Sequence, residues 1–380
     1  MKKRKNTNNF NIIAEIIIII ILIASFAYID HKISYFELNS NYIDADLIFL
    51  VVMFLYIIYI AIHTILHEFG HAVAGLLTGY KFVSFRIGSF ALIKKNYKYE
   101  FKKFKIRGTI GQCLMYFPDN KTDKIGYKFL NLNGGLVNLI IGTIFLVIGL
   151  TTKDNLFNFC LFQEFGIVGL ILGIQALIPC KFADFPNDGY NLMNLIKSSE
   201  ARECFYIMLK INALFTTVDT FDELPKDIVK KLKEKDFSKL DLSNPIIANT
   251  YLFKVELFYI TGEFEKTYEL YKSIMNNESI LKTFKNEAQC ECLFFAIMND
   301  DKKNIDKLYS KKLRKYIKST SIYPERQRLM YAYYKFYKHD EQEALKYENE
   351  LKKSINTFAI KANAIYESKI INNLKTRGTL

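Results

Sequence analysis

Residues 47–80 read LIFLVVMFLYIIYIAIHTILHEFGHAVAGLLTGY. From Leu47 to Ile62 the run is strongly apolar, and it leads directly into three histidines and a glutamate. An ionisable side chain in hydrocarbon costs roughly 2.5–3.5 kcal/mol on insertion scales. His63, His67, Glu68 and His71 therefore mark a functional place on a helix of membrane length.

His67 and His71 are four apart, so both project from one helix face. Two imidazoles there can bind zinc at about 2.0–2.1 Å each. Glu68 follows the first of them and reaches water bound to the ion rather than the ion itself. Zinc acidifies that water and the glutamate takes its proton, which is why H-E-x-x-H works as a unit. His63 lies one turn earlier on the same face. Three successive turns of a straight helix do not converge on one ion, so His63 is read as lining the cavity. A catalytic zinc keeps three protein ligands and one open position. His31 falls in a predicted outer loop and His339 in the distant tail, so a carboxylate is favoured. The stretch 178–197, IPCKFADFPNDGYNLMNLIK, offers Asp188 before Gly189, and Asp184 four residues upstream.

Half of the 380 residues are hydrophobic, none is Trp, and the net charge is +13. Apolar runs predict four spans, near 10–29, 46–79, 132–151 and 157–179. The first follows MKKRKNTNN and is too long for a usual signal core, so an uncleaved membrane helix is expected. Basic residues alternate between the connections: four in 1–9, one in 30–46, twelve in 80–130 and one in 152–164. Positive loops stay inside, which predicts a multi-pass cell-membrane protein with both termini in the cytoplasm. The positive charge then reads as topology and as attraction to anionic lipid headgroups, not as nucleic-acid binding. The six cysteines show no zinc-knuckle or disulfide spacing and are read as reduced thiols.

Residues 80–130 alternate aromatic and β-branched residues with Lys, Arg and Ser, a strand pattern with turns at Gly88 and Lys95–Asn96. Its lysines suit a membrane surface. After about residue 200 the apolar runs shorten. GEFEKTYELYKSIM, 262–275, and DEQEALKYENELKKS, 340–354, read as amphipathic helices of hairpin repeats similar to tetratricopeptide motifs, or of a plain bundle. The predicted fold is mainly α: a polytopic membrane helix bundle of about four spans with a small membrane-associated β-hairpin region. A cytoplasmic all-α helical-repeat-like domain follows. The expected domains are 1–199, membrane-embedded, and 200–380, cytoplasmic.

HEFGH in a membrane helix, NGGLVNLIIG at 133–142 in the next span and Asp188-Gly189 after the last together resemble the site-2 protease family of intramembrane zinc metalloproteases. The resemblance covers about residues 46–195. It implies one zinc per chain, held by His67, His71 and Asp188, with Glu68 as general base. It also implies that Gly134, Gly135 and Asn138 line a substrate cleft, and that the strand-like segment helps receive substrate. The family pattern has Asn-x-x-Pro before Asp-Gly; here Pro179 is present, but the Asn position is Ala176. The function this implies is hydrolysis of a peptide bond in a membrane-anchored protein or peptide precursor. The tail is expected to bind a cytoplasmic protein partner. The competing readings are an inactive membrane scaffold that presents the tail, and a transporter whose intramembrane His and Glu line an ion path. The intact His67-Glu68-His71 set opposes the first, and the lack of an inverted repeat opposes the second.

Overall fold

The computed structural model describes residues 2–38, 44–104, 109–118, 126–182 and 185–377. Among the described residues, four helices are long and apolar enough to cross a membrane. They lie in α1 (Lys2–Leu38), α2 (Ala45–Leu77), α3 (Gly126–Thr151) and α4 (Leu156–Leu177). Each overlaps an expected span. The boundaries move outward where helix continues beyond the apolar stretch, because nothing in α1 or at the start of α3 breaks it.

Helix α2 begins where the Asp44 side chain accepts from the Asp46 N–H at 3.1 Å, an N-cap. It ends at Leu77, and just beyond it Gly79, with a φ of +89°, allows the Tyr80 N–H to return to the Gly75 carbonyl at 2.8 Å. At about 1.5 Å per residue, α2 is about 50 Å long, well beyond a hydrocarbon layer of about 30 Å. One end must tilt or leave the layer. Outward-facing Ile16, Ile20, Leu50, Phe54, Ile57, Ile140 and Ile144 are exposed, as lipid-facing residues are.

The chain divides into two compact units, Met1–Gly88 with Gly108–Lys197, and Ser89–Arg107 with Ser198–Leu380. In the first, α3 packs against both α2 and α4. Small residues permit that approach: a Cβ at Gly142 would lie 2.8 Å from the Gly166 carbonyl oxygen. Helix α1 joins the bundle through Tyr28, which donates to Gln163 at 2.6 Å, and through the Lys32–Asp154 ion pair at 2.6 Å.

The predicted strand segment forms β1 (Lys81–Ile87), β2 (Phe90–Lys95), β3 (Lys98–Lys103) and β4 (Gly111–Tyr116), an antiparallel sheet in the order β3-β2-β1-β4. The β2–β3 turn falls on Asn96–Tyr97, both with positive φ, one residue beyond the expected place. Positive φ at both central residues matches the twist of a two-residue hairpin. Within the second unit, Ala91, Ile93 and Phe104 are buried with Ala359 beside them, and Lys95 pairs with Asp219. Phe90, Tyr99 and Phe101, on the other face of the hairpin, are exposed.

The remainder of that unit is helical. The two amphipathic stretches appear as helices Phe264–Asn276 and Glu341–Thr357. The core gathers Leu293, Phe294, Ile317, Leu329 and Tyr333. Beside it lies a buried ionic cluster, with Glu291 3.1 Å from Arg326 and 2.5 Å from Arg328.

Candidate metal centre

His67 and His71 sit one turn apart near the C-terminal end of α2. Asp188 is the first residue of helix α5 (Asp188–Lys197), which follows α4 after a short extended stretch. Folding brings the three together. Asp188 Oδ2 lies 3.0 Å from His67 Nε2 and 3.3 Å from His71 Nε2, and the two Nε2 atoms are 3.1 Å apart. Among the described residues this is the one group of His, Cys, Asp or Glu so clustered. Asp184, the alternative carboxylate, lies outside the described residues.

The residues fit a zinc ion. Tetrahedral ligands at about 2.0–2.1 Å stand about 3.3 Å apart, close to the spacings seen. His71 Nδ1 hydrogen-bonds to the Leu130 carbonyl. A carbonyl only accepts, so Nδ1 holds the proton and Nε2 turns its lone pair to the cluster. Burial raises the Asp188 carboxyl, but His71 and His67 override it and hold it well below the usual carboxylate range. A ligand carboxylate must be deprotonated. The α3 backbone passes at Gly134, where a Cβ would lie 2.5 Å from His71 Nε2 and 2.7 Å from His67 Nε2. Any larger residue would fill the space at the imidazoles.

Asn187 places Asp188, and the sequence reading overlooked it. Its Oδ1 accepts from the Tyr190 N–H at 2.9 Å and the Cys180 N–H at 3.1 Å. Its Nδ2 donates to the Gln175 and Ile178 carbonyls, each at 2.6 Å. The available signal was an Asn directly before a helix start, which is an N-cap pattern. Gly189 completes the approach, since a Cβ there would lie 2.1 Å from the Leu177 carbonyl oxygen.

Glu68, next to His67 in the chain, sets its carboxylate against β4 and within electrostatic reach of His67, His71 and Asp188. It is buried, accepts from the Cys113 backbone N–H, and lies so close to Gly111 that a Cβ there would be 2.5 Å from its Oε1. Arg86 of β1 is buried nearby and donates to the Gly88 carbonyl at 2.6 Å and the Thr109 carbonyl at 3.2 Å. Burial, then the Glu68 charge, pushes the Cys113 thiol up to about 12, so it stays a thiol.

The other candidates are placed differently. His63 is fully buried, with Nδ1 3.3 Å from Asn138 Oδ1 and Nε2 3.0 Å from the Phe165 carbonyl. Both ring nitrogens are engaged away from the cluster. Asn138 is thus a buried partner of His63, and Gly135 packs against Leu177, where a Cβ would lie 2.5 Å from its Cγ. Of the glycine-asparagine motif, Gly134 is the member that faces the metal ligands.

Two histidines and an aspartate at one point of an apolar helix bundle, with a glutamate beside them, describe the centre of a membrane metallopeptidase. The family model for peptidase family M50 matches residues 54–352. The chain belongs to this family of zinc metalloproteases of the site-2 type. No curated protein and no solved structure gave a match.

Proposed function

We propose that this chain hydrolyses a peptide bond of a membrane-anchored protein or peptide precursor, with one zinc ion held by His67, His71 and Asp188. The observation that carries the reading is the 3.0–3.3 Å clustering of the three ligand atoms beside Glu68. When bound, zinc supplies Lewis acidity that polarises the scissile carbonyl and acidifies water. Glu68 accepts the proton of the attacking water and returns it to the leaving amine nitrogen. The Cys113 N–H orients its carboxylate for both transfers.

A helical substrate shields its own carbonyls, because its backbone hydrogen bonds are satisfied internally. It must be extended before attack. Strand β4 stands at one end of the sheet order and carries the Cys113 N–H that Glu68 accepts. Addition of a substrate strand beside β4 would hold the extended form by main-chain bonds. The charge alternation supports a multi-pass arrangement with both termini in the cytoplasm. There the helical tail, with tetratricopeptide-like pairing, engages a protein partner. Lys94 and Lys103, beside the exposed Phe90, Tyr99 and Phe101, suit anionic headgroups.

The test is zinc content and cleavage in the full chain purified in detergent, with single-span reporter proteins as substrates. Wild type carries about one zinc, Asp188→Ala loses it, and Glu68→Gln keeps it while cleaving roughly 10²- to 10⁴-fold more slowly. Glu68→Gln cleaving at the wild-type rate sinks the mechanism. A well-folded wild type without zinc sinks the ligand assignment.

A further inference from the structure

The fourth span holds a polar group that the metal centre does not use. Glu164 closes a π-helical turn, Phe159–Glu164, inside α4. Its side chain is fully buried, and neither carboxylate oxygen has a hydrogen-bond partner. An uncompensated carboxylate in the hydrocarbon layer is costly, so it needs a positive partner. Among the described residues no Lys, Arg or His pairs with it.

Its polar neighbours are few. Tyr56 and Tyr59 of α2 lie within electrostatic reach, as does Cys160 of its own helix. The Tyr59 hydroxyl donates to the Cys160 carbonyl at 2.8 Å, inside the π turn. α3 contributes no titratable side chain from Asn138 to Thr151. On α1, Tyr28 is engaged by Gln163 at 2.6 Å. On α2, His63 is engaged by Asn138 and the Phe165 carbonyl. π turns are rare and recur at functional sites, and loosened helical carbonyls beside a carboxylate are how membrane proteins coordinate Na⁺ or protons.

We propose that Glu164 is an intramembrane binding site for one monovalent cation, a proton or Na⁺, with the Tyr59 hydroxyl and the π-turn carbonyls as its neighbouring oxygens. The site lies along the same helix as the metal ligands, with Tyr59, His63, His67 and His71 at four-residue steps on α2. A cation here holds α2 against α4 about two to three turns from the histidine pair. The assignment does not depend on zinc or on proteolysis.

The test uses the full chain in detergent. Thermal unfolding is followed from mildly acidic to mildly alkaline pH, in Na⁺ and in choline at equal ionic strength, for wild type and Glu164→Gln. With a proton in the site, wild type loses melting temperature as pH rises, and the variant lacks that component. The infrared difference between the two then contains the carbonyl stretch of a carboxylic acid. With Na⁺ in the site, wild type gains a few degrees in Na⁺ over choline, saturably, and the variant gains nothing. A variant that matches wild type in both responses, with no carboxylic-acid band, overturns the proposal. If Glu164→Gln does not fold, Tyr59→Phe keeps the carboxylate and removes its hydroxyl neighbour. It should weaken the Na⁺ response or move the pH midpoint, and an unchanged profile in Tyr59→Phe overturns the site.

Discussion

The Asn187 side-chain amide donates to the Gln175 carbonyl at 2.6 Å and so ties the start of α5 to the end of α4. Asp188, the next residue, is thereby delivered to the two histidines. In the family pattern an asparagine stands at the position of Ala176; here the Asn187 amide bonds to the carbonyls of Gln175 and Ile178 on either side of it. Removal of the partners that orient a metal ligand typically costs 10–100-fold in affinity. Asn187→Ala should weaken zinc binding by roughly that factor, measured by competition with a chelator. An unchanged affinity would show that Asp188 is positioned without it.

Gly134 and Gly135 are adjacent in sequence and should differ in consequence. A Cβ at 134 meets both imidazoles, whereas a Cβ at 135 meets the movable Leu177 side chain and, at 3.2 Å, the Gly173 carbonyl. Gly134→Ala should lower zinc occupancy sharply. Gly135→Ala should lower the melting temperature and leave zinc bound. Equal zinc content in the two purified variants would contradict the placement of α3 against the ligands.

Arg86 anchors the loop ends that bring β4 to Glu68. Arg86→Met removes the buried charged donor that the Gly88 and Thr109 carbonyls share, and a hydrogen bond to a charged group contributes about 1.5–3 kcal/mol. The expected result is a lower melting temperature and slower cleavage with zinc retained. Zinc loss in parallel with activity would place the effect at the ligands instead.

Glu256 in the helical tail has no ion-pair partner among the described residues. Burial, then Glu325, Glu367 and Glu291, push its carboxyl up to about 8. A carboxyl raised above its unfolded value, about 4.3, binds more protons when folded. Its contribution is therefore complete below the unfolded value and is lost as pH rises through about 8. Glu256→Gln should raise the melting temperature of the full chain above that pH and change it little in mild acid. A gain of the same size at both pH values would rule out titration as the cause.

Much of this protein was legible along the chain. Apolar runs of membrane length declare themselves without reference to any other segment, because a helix satisfies its own backbone. HEFGH is equally local, since a four-residue step fixes two imidazoles on one face. The alternation in 80–130 announced strands for the same reason of short-range periodicity. Glu164 was in plain view within a predicted span, yet nothing local shows whether such a group is paired.

What the tertiary structure decided are relations across long separations. Asp188 becomes a partner of His67 only because α5 starts against the end of α4, where Asn187 and the close approach at Gly189 hold it. Asn138 turned to His63, and of the two adjacent glycines Gly134 faced the imidazoles, since the rotation of α3 about its axis is set by packing against α2 and α4. The sequence by itself determined the helices, the strands and the two histidines, each a product of neighbours within a few residues. The third carboxylate, the partner of Glu68 on β4 and the isolation of Glu164 depend on which surfaces meet, and periodicity along one segment carries no information about that.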